Sequence, residues 1–68
     1  MTLDETLLDA HARDDRTALV TLYTRAADTA ESIDATCFFL TQAYIFALET
    51  GDAASKSLYD RLRAFGRV

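Results

Sequence analysis

Apolar residues along the chain recur at intervals of three and four, and no stretch alternates apolar with polar as a half-buried strand would. Leu3, Leu7, Leu8 and Ala10 carry the first such run, and Thr2 with Glu5 has the Thr-x-x-Glu form of a capping box. A helix is predicted over 3–12. The period breaks at Asp14-Asp15, where an aspartate can cap a second helix by accepting backbone N–H bonds. That helix starts near Asp15 or Arg16. Ala18, Leu19, Leu22, Tyr23 and Ala26 share its inner face, while Arg16, Thr24 and Arg25 point outward. The stretch Asp28-Thr29-Ala30-Glu31-Ser32 is rich in capping residue types. Asp28 with Glu31, or Ser32 alone, starts the third helix.

The third helix departs from the amphipathic pattern. From Ala35 to Leu48 no residue is charged. Its polar members Thr36, Thr41 and Gln42 gather on no single face, because Thr36 lies far round the helix from the other two. A helix apolar nearly all round is expected to be buried nearly all round. The run is too short for a membrane span, which takes about 20 apolar residues. Glu49-Thr50-Gly51-Asp52 then reads as a stop and a start. Gly51 takes the left-handed closing conformation and Asp52 caps a fourth helix, about Ala53 to Ala64 or Phe65, with Leu58, Tyr59, Leu62 and Phe65 inward and Gly66 at its end.

The expected fold is all-α, one domain over 1–68, made of two helix hairpins at about 3–29 and 32–65. A four-helix bundle is the alternative arrangement, since short loops suit both. The halves resemble each other at an offset of 36 residues: Leu22-Tyr23-Thr24-Arg25 aligns with Leu58-Tyr59-Asp60-Arg61. In that register Leu3, Leu7 and Ala10 match Phe39, Ala43 and Phe46, and Leu19, Tyr23 and Ala26 match Ser55, Tyr59 and Leu62.

On these residues the chain resembles the tetratricopeptide-repeat family, whose unit is an antiparallel helix pair. Phe39, Ala43 and Phe46 follow the family's large, small, aromatic order in the first helix. Ser55, Tyr59 and Leu62 follow its small, aromatic, apolar order in the second. Gly51-Asp52 sits one residue from the family's Gly-Asp turn. In the first half Leu7 stands for the small residue, Ala10 for the aromatic and Asp14-Asp15 for Gly-Asp, and no proline follows either pair. The resemblance implies a right-handed stack of two hairpins that binds other polypeptides.

Composition narrows the functions. The chain has 68 residues, one cysteine and no proline, and half its residues are hydrophobic. A domain this small is marginally stable and relies on disulfides, metal, self-association or efficient packing. Cys37 alone makes no intrachain disulfide, and Cys37 with His11 falls short of a zinc ligand set. The N-terminal residues lack the basic-then-apolar pattern of a signal peptide. With the free thiol this points to the cytoplasm as the expected location. The net charge is −4, the wrong sign for collecting phosphates non-specifically. The bases Lys56, Arg61, Arg63 and Arg67 gather on or after helix four, where they complement a helix end or offer a basic tip to an acidic partner.

No constellation for catalysis emerges. His11 is the single histidine and has no nominated acid–base partner. Cys37 reads as a small buried hydrophobe, because Glu31 and Asp34 oppose a thiolate at that helix start. The acids Asp4, Glu5, Asp9, Asp14 and Asp15 lack the spacing of a calcium loop. Tyr23, Tyr44 and Tyr59 read as core aromatics. No enzyme activity, cofactor or metal is therefore expected.

The third helix carries the functional expectation. One helix of four in so short a chain touches two or three others, which leaves part of its surface in water. Some of Phe38, Phe39, Leu40, Ile45 and Phe46 are then exposed, and contiguous exposed apolar side chains mark an interface. The competing arrangement covers this helix completely with the other three. The leading expectation is a protein-binding module, self-associating as a homodimer through helix three or taking another protein there. Membrane is not an expected partner. A small nucleic-acid-binding or regulatory protein using the basic C-terminal end is the alternative.

Overall fold

The computed structural model describes residues 2–68. Four α-helices follow in order: α1 Leu3–Ala12, α2 Arg16–Thr29, α3 Ile33–Thr50 and α4 Ala54–Ala64, with no strand among the described residues. Each start is fixed by a side chain that takes an N–H left free by the first turn. Thr2 accepts from Glu5 N at 3.1 Å, Asp15 from Ala18 N at 3.1 Å and Ser32 from Ala35 N at 3.1 Å. Asp52 does the same for α4 through Ala54 N at 2.9 Å, one residue ahead of the helix boundary.

Three helices end alike. Asp14, Gly51 and Gly66 each take a left-handed backbone, φ 53°, 66° and 73°. The next residue's N–H then reaches back to the carbonyl of Ala10, Ala47 or Leu62, at 2.9, 2.9 and 3.0 Å. These bonds close a Schellman motif and reverse the chain. The two hairpin turns are thus the same structure, set one position further apart than the 36-residue offset of the apolar repeat. The turn pairs Ala10 with Ala47, both fully buried, rather than with Phe46.

The helices pack against their chain neighbours in a flattened body of 32 × 28 × 11 Å. α2 buries two flanks. Leu19 and Leu22 join Ala10, Leu3 and Leu7 toward α1. Val20 and Ala27, which the inner-face pattern had left out, join Cys37, Leu40, Ala43 and Ala47 of α3, and Leu58 and Leu62 of α4 complete that cluster. The alanines let α2 and α3 approach closely. Thr36 lies in the same seam and donates its hydroxyl to Ala27 O at 3.3 Å. Burying an apolar side chain of leucine size contributes about 1.5–3 kcal/mol relative to exposure, and Leu19, Leu40, Leu58 and Leu62 are all buried completely or nearly so. Tyr59 and Phe65 differ from expectation. They are 40% and 42% exposed, because the inner stripe of α4 is filled by Leu58 and Leu62 alone.

Candidate protein-interaction surface

α3 is not buried all round. Its buried side, Ala43 and Ala47, packs in the cluster with Val20 and Ala27 of α2. On the opposite side Phe38, Ile45 and Leu48 are 58%, 43% and 56% exposed, and Thr41 stands exposed between them. Phe38, Thr41, Ile45 and Leu48 are spaced three, four and three residues apart, so they form one stripe along the helix. That is the spacing of a helix-packing seam. Leu40, one of the five candidate interface residues, is instead fully buried in the core and offers no surface to a partner. Phe39 and Phe46 are half-buried and pack against the core clusters. Leu48, which is not among the residues expected there from the sequence, is exposed on the same stripe.

An acidic residue stands at each end of the stripe, and each is held by an arginine from outside α3. Arg67 donates to Asp34 at 2.7 Å. Arg16 Nε lies 3.5 Å from Glu49. The hydrogen bond to Asp34, with the nearby Cys37 thiol as a second contribution, raises the Arg67 pKa above its ordinary value. The side chains on both ends therefore carry paired, oriented charges.

Aromatic rings lead from α1 to this stripe. His11 Nε2 and the Tyr23 hydroxyl are 2.9 Å apart. Tyr23 stacks on Phe46 with centroids 6.0 Å apart and lies 6.2 Å from Phe39. Phe39 meets Phe38 edge-on at 5.4 Å. Contacts of this kind hold Phe38 in place from behind while its other face meets water. His11 is thus engaged with the Tyr23 phenol and, edge-on at 5.9 Å between centroids, with the Phe46 ring.

The other candidates find structural partners. Cys37 is buried in the core. Among the described residues no cluster of histidine, cysteine and acids could hold a metal ion. Asp9 and Asp15 both bind Arg13, at 2.9 and 3.2 Å. Arg61 binds Asp28 at 2.7 Å, so two of the four C-terminal bases are engaged within the chain. An open groove of about 590 Å³ runs between α1 and the start of α3, floored by Leu3, Leu7, Ala26 and Phe39 with Asp4 and Glu31 at its rim. No helix among the described residues is long and apolar enough to cross a membrane. The chain matches no protein-family model, no curated protein and no solved structure.

Proposed function

We propose that this chain is a helical-hairpin interaction module, tetratricopeptide-like in its organisation, that binds protein and associates with itself through α3. The observation that carries the reading is the stripe of Phe38, Ile45 and Leu48, three large apolar side chains left in water along one helix face. Apolar area aligned at helix-packing spacing is stabilised when a second helix covers it. A self-complementary two-fold contact is the simplest closed way to supply that helix. Engagement of Arg61 and Arg67 by Asp28 and Asp34 weighs against the nucleic-acid reading.

The test is the absolute mass in solution, by sedimentation across micromolar concentrations, for the native chain and for Phe38→Glu. A native dimer that Phe38→Glu converts to a folded monomer supports the reading. A native chain that stays monomeric at every concentration removes self-association. Retention on immobilised DNA that falls with salt would favour the nucleic-acid alternative.

A further inference from the structure

We propose that copies of this chain also join head to tail, α1 of one copy lying antiparallel on the open flank of α4 in the next. This contact is separate from the α3 stripe and does not rest on it. Backbone to backbone, α1 lies against α2 alone and α4 against α3 alone, so the helices form a row with a free flank at each end. α2 shows what covers such a flank. Its Val20, Tyr23 and Ala27 take α3, the first helix of the second hairpin. The 36-residue offset holds between α2 and α4 in the structure, since Leu22 and Leu58, and Ala26 and Leu62, are buried alike. It sets Lys56, Tyr59 and Arg63 of α4 at the places of Val20, Tyr23 and Ala27, and all three are exposed. The row continues there with the first helix of a further hairpin, and in a second copy that helix is α1.

Charge selects this pairing over the others. The outer side of α1, opposite Ala10, carries Leu8, 70% exposed, among the exposed acids Asp4, Glu5 and Asp9. The α4 flank carries the Tyr59 ring between Lys56 and Arg63, with Asp60 beside them. Among the described residues Asp4 and Glu5 pair with no base and Lys56 and Arg63 with no acid, while Asp9 is held by Arg13. Setting α1 against α1 opposes carboxylates to carboxylates, and α4 against α4 opposes cations to cations. Only α1 on α4 brings unpaired carboxylates to unpaired cations. In the antiparallel sense that α3 takes on α2, Asp4 and Glu5 come beside Arg63, and Asp9 beside Lys56, with Leu8 over Tyr59.

Like-charge juxtaposition rejects the wrong partner helix more than the right pairing adds affinity. The apolar share of the contact is small, so the association is weak and salt-sensitive. A head-to-tail contact leaves a free α1 and a free α4 at its two ends, so it adds copies without the closure of a two-fold pair.

The experiment separates this contact from the α3 surface by using Phe38→Glu throughout. Its mass is followed by sedimentation up to millimolar concentration at about 10 mM and about 1 M salt, where the screening length is about 30 Å and about 3 Å. Mass above that of the monomer is expected at low salt, with association roughly tenfold weaker at high salt, the size of a few exposed ion pairs. Lys56→Glu with Arg63→Glu, and separately Asp4→Lys with Glu5→Lys, should each abolish it. Mixing these two variants should restore it, because the reversed α4 of one then meets the reversed α1 of the other. A Phe38→Glu chain that stays monomeric at low salt overturns the proposal and leaves the α4 flank to an acidic helix of a different protein. Association that survives either reversal also overturns it. So does a mixture that fails to associate while circular dichroism shows both variants helical.

Discussion

Asp14 and Gly51 occupy the same left-handed position in two equivalent turns, with φ of 53° and 66°. Glycine reaches that region without steric cost, whereas a residue with a Cβ is strained there. Asp14→Gly is therefore expected to stabilise the chain by about 0.5–1 kcal/mol and Gly51→Ala to destabilise it by about 1 kcal/mol. A Cβ at Gly51 would touch nothing within 4 Å, so the second effect is conformational rather than steric. Urea unfolding of the two variants checks this. A loss of stability in Asp14→Gly would show that the 3.5 Å pair of Asp14 with Arg16 matters more than backbone strain.

Burial separates neighbouring residues of α3. Leu40 is completely enclosed, while Phe38, two positions earlier, is mostly in water. Leu40→Ala should lose about 2–5 kcal/mol, by transfer and by the cavity left behind. For a domain this small that removes much of its stability. Phe38→Ala should leave monomer stability nearly unchanged. Thermal melts followed by circular dichroism at the lowest workable concentration decide the point. Similar losses in both variants would place Phe38 in the core instead.

Helix boundaries and turns were legible in the sequence because their chemistry is local. Thr2, Asp15, Ser32 and Asp52 each bond an N–H two or three residues on, and Gly51 closes a helix by its own backbone freedom. The outward face of α3 was not legible from the uncharged run alone. That run excluded Asp34 and Glu49, both exposed and both on the side of Phe38 and Ile45, which mark where water lies. Thr36 added to the confusion. Its hydroxyl faces α2 and is satisfied by Ala27 O, so a polar residue sat on the buried side. Which leucine is core and which is surface depended on where α2 docks, and docking is set by alanines that carry little sequence signal.

The bond from Thr36 to Ala27 O joins α2 to α3 where no water is needed to satisfy the hydroxyl. Thr36→Val keeps the shape and removes the donor. It should cost about 1 kcal/mol, within the usual net range for one hydrogen bond. Thr36→Ser keeps the donor and should cost less, with the difference between the two read from urea midpoints. Equal losses in valine and serine would assign the effect to packing.

Arg67 ties the residues after α4 to the start of α3 through Asp34, at 2.7 Å. That bond raises the Arg67 pKa in the folded chain. By linkage, a group with a raised folded pKa contributes its stability fully below its ordinary pKa and loses it only as pH rises past the folded one. For an arginine that window lies above working pH, so Arg67 itself should add no pH dependence near neutrality. Salt is the effective lever, because both side chains are largely exposed and exposed charges are screened. Arg67→Gln should therefore produce a small loss of stability at low salt that disappears by about 1 M, where the screening length is only about 3 Å. A loss that persists undiminished at high salt would mean that Arg67 acts through the packing of its methylene stem against Phe38 and Thr41, with which it lines a shallow pocket, and not through its charge.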